Sequence, residues 1–334
     1  MRHTVKRLPV EKDLVIAVDI GGTQFRVALC DPDGRVVARA SAHTRAVEGK
    51  QAVIQRIFDL IKQITSGQEH SIRAVGVAAP GPLNPWTGVI FRPPNLQDWT
   101  DVPLKNIFEE EFARPVLVGN DANLAALGEH IYGAGKGKRN LVYITVSTGI
   151  GGGVIEADRL ILGARGLAGE IGHMTIDPIG PPCQCGNMGC LEALASGPAI
   201  AREAVRLIRQ GMPSMLVSLA HDDLTQIDGQ LVVEAARAGD QLSSQVFSRA
   251  AFYLGIGVVN VLHLFNPEIV IIGGGVSNAG DILFGPVREL VSQRTMEAVR
   301  RGVSIVPAAL GDDAGLLGAA ALARSGDPSG AQRT

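Results

Sequence analysis

Cysteine is scarce in this chain, with four among 334 residues. Three of them fall within residues 183–190, so they cannot form a disulfide framework spread over the fold. This clustering favours a metal site, and we expect the reducing environment of the cytoplasm. An excess of basic charge is lacking too: 31 Lys and Arg residues face 33 Asp and Glu residues, a formal net charge of −2. Because a nucleic-acid-binding surface needs a basic stripe, no nucleic-acid partner is expected.

Long apolar runs are also missing. The first run, residues 14–18, is too short for the apolar core of a secretory leader. The longest run, residues 252–265, contains Asn260 and His263 and is too short to span a bilayer, so we expect a buried helix and no membrane partner. With 46% hydrophobic and 19% charged residues, the chain belongs to the globular class. Its length allows one large or two medium domains.

Apolar strands and glycine turns recur along the chain. A strand, a glycine turn and a second strand are predicted over residues 14–30, and the same device returns over residues 141–155 around a glycine run. Helices and strands alternate after each copy, which predicts two related α/β lobes. No Pro/Ser-rich linker separates the lobes, so we expect the ligand in a cleft between them.

Hydrophobic periodicity predicts the remaining elements. Helices are expected over residues 50–65, 122–132, 191–209 and 241–264, and strands over 74–78, 115–118, 268–272 and 303–306. A last helix is expected from about Asp313 to Arg324, followed by a polar tail. We assign residues 1–120 to the N-terminal lobe, completed by the C-terminal helical segment 313–330, and residues 121–312 to the C-terminal lobe.

Neither a P-loop nor a dinucleotide-binding glycine fingerprint occurs. Instead, three glycine loops each follow an apolar strand. They contain Asp19, Gly21, Gly22 and Thr23; Thr148 and Gly149; and Gly273, Gly274 and Gly275. Any one of them alone could be an ordinary turn, but three together favour backbone N–H groups that bind phosphate. Asp19, at a strand end, is a candidate to hold Mg²⁺ through water.

The clustered cysteines, Cys183, Cys185 and Cys190, stand downstream of His173. Three thiolates and one imidazole make a complete tetrahedral set for Zn²⁺ with no open position, which indicates a structural site. The spacing alone is only suggestive, and buried cysteines beside a capping histidine remain the alternative. A metal here would fix polar side chains of the same loop in advance, which lowers the ordering cost of binding a polyol.

Asn120 and Asp121 stand at a predicted strand-to-helix junction. One interpretation of Asp121 is a plain helix cap. The other is a general base that orients a substrate hydroxyl and accepts its proton during phosphoryl transfer.

Taken together, these motifs resemble those of the ROK family (repressors, open reading frames, kinases). The glycine loops look like the two phosphate segments and the adenosine segment of the sugar kinase/actin/heat-shock ATPase superfamily. Residues 183–192 match the family signature C-x-C-G-x-x-G-C-x-E, and Glu170-Ile-Gly-His173 precedes it. The resemblance covers residues 14–324. It implies an α/β, two-lobed actin-like ATPase (ribonuclease H-like) fold with an interlobe cleft and a zinc-pinned loop.

The resemblance also implies an activity: ATP- and Mg²⁺-dependent phosphorylation of glucose to glucose 6-phosphate, in a cytoplasmic homodimer or homotetramer. Asp121 is then the general base on the sugar 6-hydroxyl. The implied sugar-binding residues are Gly81, Asn95, Asn120, Asp121, Glu170, His173 and Glu192. The implied nucleotide-binding residues are Asp19, Gly21, Gly22, Thr23, Thr148, Gly149, Gly273, Gly274 and Gly275. The implied zinc ligands are His173, Cys183, Cys185 and Cys190.

Several alternatives stay open at this point. ROK kinases for N-acetylmannosamine, N-acetylglucosamine, fructose or allose share much of the motif set, and polyphosphate or ADP could replace ATP. Trp99 could pack on the sugar face or anchor the core. A non-catalytic sugar sensor is disfavoured because Asp19 and Asp121 are both present. A ROK repressor needs a helix-turn-helix before the sugar domain, and we expect none because few residues precede Leu14.

Overall fold

The computed structural model describes residues 13–331 except Pro94 and Gln97. The expectation that no helix-turn-helix precedes Leu14 concerns residues 1–12, which lie outside the described residues. The chain divides into two compact units. The first unit runs to Leu124 and also contains the chain from Gly315 onward, and the second is Ala125–Ala314.

The first unit is built on a five-stranded sheet. Its strands are β1 (Leu14–Ile20), β2 (Gln24–Cys30), β3 (Val36–His43), β4 (Ile72–Ala79), β5 (Leu83–Asn84), β6 (Val89–Ile90), β7 (Val102–Pro103) and β8 (Val116–Asn120). Its helices are α1 (Lys50–Thr65), α2 (Leu104–Phe112), most of the last helix, α11 (Ala314–Ser325), and the start of α3 (Asp121–Ile131). The main sheet has the order β3-β2-β1-β4-β8, and β5, β6 and β7 form a small separate sheet.

Strand direction in the main sheet follows from the connections. The short turns after β1 and β2 make those pairs antiparallel, whereas β1, β4 and β8 run parallel. Parallel strands are covered on both faces, and β4 is accordingly buried except at Arg73. Trp99 is buried in the core of this unit: it is 1% exposed and lies in the apolar cluster. Of its two interpretations, the core anchor is therefore correct.

The second unit repeats the plan. Its strands are β9 (Leu141–Val146), β10 (Ile150–Glu156), β11 (Arg159–Leu160), β12 (Ile269–Gly273) and β13 (Ser304–Pro307). Its helices are α4 (Leu191–Ala195), α5 (Gly197–Arg209), α6 (Leu216–Leu219), α7 (Gly229–Arg237), α8 (Gln241–Phe265), α9 (Asp281–Arg294) and α10 (Glu297–Arg300), with the remainder of α3. The sheet order is β11-β10-β9-β12-β13.

The two sheets share one pattern of strand directions. In each, a first strand pairs antiparallel with the next strand and parallel with a later one, which pairs parallel with the edge strand. The predicted repetition of the strand–glycine–strand device is therefore confirmed, and so is the α/β class.

Three predicted boundaries are corrected by the structure. Gly151, Gly152 and Gly153 lie inside β10 rather than in a loop. The predicted helix 191–209 is divided at Ser196, whose Oγ accepts a hydrogen bond from Ala199 N and so caps a new helix. The last helix ends at Ser325, one residue after the end predicted from the sequence, so the helical segment assigned to 313–330 is too long; Gly326 takes a positive φ of 67°, the usual geometry after a helix end.

The longer elements without a sequence prediction are β3, α2, α7 and α9, and the short elements β5, β6, β7, β11, α6 and α10 were not predicted either. The inward positions of β3 include Ala38, Ala40 and Ala42, which give a weak hydrophobic alternation. Helix α9 contains Gly285 and Pro286, which normally indicate a break.

Helix α8 is longer than the apolar run that predicted it. With 25 residues it is long and apolar enough to cross a membrane, but 61% of its most apolar window is buried inside the protein. Its apolar side chains lie in the core cluster of the second unit. The length argument was wrong, and the prediction of a buried helix is confirmed.

His130, near the end of α3, is a buried titratable group, 7% exposed. Among the described residues its Nδ1 has no hydrogen-bond partner, and its Nε2 lies 3.7 Å from Asp158 Oδ1. Burial lowers the pKa of His130 below its ordinary value of 6.5, and the attraction of Asp158 only partly opposes this.

Acid should therefore destabilise the protein through His130. Below pH 6.5 the unfolded chain binds a proton that the folded chain resists, so the free energy of unfolding decreases as pH drops toward the lowered pKa. We expect His130→Gln to flatten this loss in urea unfolding curves, whereas His43→Gln, at an exposed position, should leave it unchanged. Equal pH slopes in His130→Gln and the unmodified protein would contradict this account.

Candidate functional site

The carboxyl ends of three parallel strands bring predicted site residues of the first unit to one edge of its sheet. Pairing of Asp19 with Ala78 and of Ala79 with Asn120 aligns the ends of β1, β4 and β8. Gly81 lies two residues after the end of β4. Open α/β sheets bind ligands outside the carboxyl ends of their strands, so this edge is the candidate site of the first unit.

The loop after β1 is held by backbone bonds. Gly21 N donates to Gln24 O at 3.0 Å, and Thr44 Oγ1 donates to Gly21 O at 2.6 Å. Asp19 Oδ2 lies 3.4 Å from Arg26 Nη1, and the side chain of Asp19 is 18% exposed. Beside this loop, a Cβ on Gly22 would lie 2.7 Å from Asn95 Cβ, so a predicted phosphate residue touches a predicted sugar residue.

Asn120 and Asp121 have different roles at the start of α3. Asn120 Oδ1 accepts from Ala122 N at 3.0 Å and from Asn123 N at 3.3 Å, so Asn120 is the helix cap. Asp121 Oδ1 accepts a hydrogen bond from Ala122 N at 2.8 Å. Asp121 is exposed at the helix N-terminus, where a negative charge is favoured. Gly81 lies next to Asn120, because a Cβ there would be 2.9 Å from Asn120 Nδ2.

In the second unit, residues 147–149 form the turn between β9 and β10. Ser147 N donates to Gly149 O at 2.8 Å, and Gly197 N donates to Ser147 O at 2.9 Å. The turn therefore rests on the N-terminus of α5. Thr148 is exposed, as a phosphate-binding residue must be.

A cavity of about 1200 Å³ opens beside this turn. Thr148 and Gly275 both line it, so the structure brings together two predicted nucleotide segments within one unit. Gly274, with φ of 83°, packs against the carbonyl of Val146 and places the two segments side by side.

Sequence reasoning missed the side walls of this cavity, which come from α5, α7 and their neighbours. The apolar part of the wall is formed by Pro198, Ala201, Val205, Ile227, Val233 and Val276. The basic part is formed by Arg202, Arg206, Arg209 and Arg237. The spacing of the three arginines on α5 places them on one helix face, which is the signal that the sequence offered. Apolar walls with a basic rim suit a flat base that carries phosphates.

The four predicted zinc ligands come together. Their ligand atoms all lie within 4.8 Å of one another. Cys185 Sγ and Cys190 Sγ are 3.7 Å apart, and Cys183 Sγ is 3.6 Å from His173 Nδ1. Tetrahedral zinc, with Zn–S of ~2.3 Å and Zn–N of ~2.0 Å, requires ligand atoms roughly 3.6–3.8 Å apart. The donor set and its spacing therefore fit Zn²⁺.

The protonation of the thiols depends on whether a metal is bound. Burial raises the pKa of Cys183, and it raises the pKa of Cys190 to about 12, so both are neutral thiols at pH 7 in the metal-free protein. Because a coordinating thiol is deprotonated, binding of a divalent cation here would release protons. Because Nδ1 of His173 faces the thiols, its Nε2 is left toward Glu170 Oε2, 4.0 Å away.

Two carboxylates flank this cluster. The side chain of Glu170 is 54% exposed, yet desolvation raises the pKa of its carboxyl, with Glu192 raising it further and His173 opposing. Glu192 Oε2 accepts a hydrogen bond from Ile150 N at 2.8 Å. The cysteine–histidine cluster, two predicted sugar residues and the turn at 147–149 are thus continuous within the second unit.

Comparison with known families matches residues 15–325 to the ROK family. The chain is 39% identical over 308 residues to a glucokinase of Thermotoga maritima, covering 92% of this chain and 96% of that protein. It is 33% identical over 320 residues to a xylose repressor of Caldicellulosiruptor bescii, covering 94% of this chain and 79% of the repressor.

Among solved structures, the fold is similar to a ROK family glucokinase from Streptomyces griseus in complex with glucose and AMPPNP. The TM-score is 0.81 at 35% identity, covering 93% of this chain and 99% of that chain. This likeness confirms the predicted family fold.

If the cluster holds zinc, the purified protein should contain about one zinc ion per chain, as a site with four protein ligands requires. Cys190→Ser should lose the metal and lower the melting temperature by roughly 5–10 °C, since loss of a structural metal is among the larger destabilising changes. Elemental analysis and thermal unfolding check both results. Cys30→Ala, at a buried cysteine outside the cluster, should keep its zinc. A Cys190→Ser protein with full zinc content would contradict the assignment.

Proposed function

The chain belongs to the ROK family, which matches residues 15–325, and we propose that it catalyses the ATP-dependent phosphorylation of glucose to glucose 6-phosphate. The relative from Thermotoga maritima, a glucokinase at 39% identity, and the glucokinase of Streptomyces griseus, whose structure contains glucose and AMPPNP, support this activity. Both are covered almost completely by this chain.

The observation that carries the proposal is the strand-to-helix junction of the first unit. Asn120 uses its side chain to cap α3, which leaves Asp121, the next residue, exposed at the carboxyl edge of the sheet. A helix cap therefore does not explain Asp121 by itself. A carboxylate fixed beside a sugar-binding amide is suited to accept the proton of a sugar hydroxyl.

In the proposed reaction, Asp121 orients the 6-hydroxyl of glucose and accepts its proton. The O6–Pγ bond forms as the bond between Pγ and the bridging oxygen breaks, and ADP leaves with the electron pair of that bond. Binding of the phosphates is assigned to the backbone N–H groups of the glycine loops. The adenine base of ATP is assigned to the cavity beside Thr148 and Gly275. Gly81, Asn95, Asn120, Glu170, His173 and Glu192 are assigned to the sugar hydroxyls.

Two metals belong to the proposal. Mg²⁺ enters with ATP and neutralises charge on the transferring phosphate; Asp19, close to Arg26, is assigned to hold it through water. Structural Zn²⁺, held by His173, Cys183, Cys185 and Cys190, fixes the loop that carries the sugar-binding carboxylates. We also place the protein in the cytoplasm, because reduced thiols are required as ligands, and expect a homodimer or homotetramer in sedimentation experiments.

A coupled assay with Mg-ATP and a panel of sugars tests the substrate. The panel holds glucose, mannose, fructose, N-acetylglucosamine and N-acetylmannosamine. We expect glucose to give the highest kcat/KM, by about 10-fold or more, the discrimination that pocket contacts ordinarily achieve. Preference for an N-acetyl sugar would show that the substrate assignment is wrong and that the kinase assignment is correct. Binding of sugar without turnover on any member would indicate a sensor and refute the proposal.

Replacement of the proposed base should lower turnover far more than binding. In Asp121→Ala we expect kcat to fall by about 10²–10⁴-fold, the usual contribution of a general base, with a small change in the dissociation constant for ATP. Steady-state kinetics with glucose and titration with AMPPNP measure the two effects. Asp33→Asn, an exposed carboxylate in the turn before β3, is the matched control and should keep its kcat. An unchanged kcat in Asp121→Ala would show that Asp121 is not the general base.

A further inference from the structure

The short helical turn Ile171–His173, next to the predicted sugar residue Glu170, packs directly against β10. Strand β10 follows residues 147–149, which we call the phosphate turn. A Cβ on Gly172 would overlap the carbonyl oxygen of Ile150, and a Cβ on Gly152 would lie 2.5 Å from Ile171 Cδ1. Backbone contact this close leaves little room for independent movement. The short helical turn Ile171–His173 and β10 therefore move together.

Glu192 connects the same segment to the phosphate turn through its side chain. Its Oε2 accepts from Ile150 N at 2.8 Å, and its Oε1 lies 4.0 Å from Cys183 Sγ. The carboxylate also fills the space over Gly149, since a Cβ there would be 2.5 Å from Oε2. A single side chain thus joins the metal cluster to the turn that we assign to ATP phosphates.

The phosphate turn lies at the end of the β9–β10 ladder, where Val146 pairs with Ile150. Its internal bond from Ser147 N to Gly149 O closes the turn, and Gly197 N holds Ser147 O from the side of α5. On the β10 side, the bond from Ile150 N to Glu192 anchors the turn to the sugar-binding segment. A hydrogen bond to a charged acceptor is stronger than a neutral one, and loss of it leaves a buried N–H unsatisfied.

We propose that Glu192 is a positioning residue for the nucleotide: its carboxylate holds the phosphate turn through Ile150 N and couples sugar binding to nucleotide affinity. The inference rests on the proposed function, because it takes the turn at residues 147–149 as a phosphate site and Glu192 as a sugar contact. A sugar hydroxyl on Oε1 fixes the carboxylate whose Oε2 holds the turn. Coupling of binding free energies is reciprocal, so glucose strengthens nucleotide binding and the nucleotide strengthens glucose binding by the same factor.

Three substitutions at one position separate this role from a sugar contact alone. Glu192→Gln keeps an oxygen that can accept from Ile150 N. Glu192→Met keeps the length of the side chain but removes the acceptor, and Glu192→Asp keeps the charge but withdraws the carboxylate by one methylene. All three should weaken glucose binding.

Calorimetric titration with Mg-AMPPNP, with and without glucose, is the measurement. We expect a nucleotide affinity within about 2-fold of the unmodified protein in Glu192→Gln, and about 10-fold weaker in Glu192→Met and Glu192→Asp, the usual effect of losing a bond to a charged acceptor. The gain in nucleotide affinity caused by glucose should disappear in the last two. Zinc content and thermal unfolding of each variant show whether the fold is intact.

Glu170→Gln is the matched control, since Glu170 lies on the same segment beside His173. It should weaken glucose binding without changing the nucleotide affinity measured in the absence of sugar. The inference is overturned if Glu192→Asp, folded and zinc-loaded, binds AMPPNP as tightly as the unmodified protein. Failure of the proposed function looks different: the unmodified protein would then bind AMPPNP yet neither bind nor phosphorylate glucose.

Discussion

Parallel strand pairing is the constraint on which both halves of the chemistry depend. In the first unit, the register between β1, β4 and β8 places Asp19 and Asn120 at one sheet edge. In the second unit, the register between β9 and β12 pairs Thr145 with Gly273, so the turn after β9 and the glycines after β12 also share an edge. When the carboxyl ends of parallel strands are aligned, residues that are distant in the sequence lie at the same edge of the sheet. Each unit therefore carries its candidate ligand-binding residues at the same place in the same topology.

The segment between β11 and α4 is organised by different means. It contains one short helical turn and isolated bridges such as Thr175 with Cys190. Backbone ladders cannot fix a segment of this kind, and the apolar side chains of its cysteine cluster form only a small core group. A tetrahedral metal site supplies cross-links that the hydrogen bonds do not. In the proposed function, the two carboxylates assigned to the sugar, Glu170 and Glu192, flank the cluster in sequence and would be positioned by its metal.

Residue chemistry made the candidate site predictable, and tertiary packing explains what was missed. The cysteines with His173, the strand-end aspartate Asp19 and the junction at Asp121 each carry a local signal in side-chain type and spacing. The walls of the large cavity come from α5 and α7, whose faces become walls only after they pack beside β9 and β12. The glycines of β10 illustrate the converse error: they predicted a loop, but small residues in this strand permit close packing of Ile171. Their purpose depends on a neighbour that the sequence does not identify.

A carboxylate suits the position of Glu192 for a reason that extends beyond sugar recognition. Ile150 N needs an acceptor, and a carboxylate satisfies it with one oxygen while the second remains available on the side of the metal cluster. A hydroxyl is too short to serve both directions, and an amide offers only one acceptor oxygen. The position of this carboxylate also explains the glycine at 149, because the Cβ of any larger residue would collide with Glu192 Oε2. Sequence reasoning assigned Glu192 to the sugar and Gly149 to phosphate separately; the contact between them gives the two assignments a common physical basis.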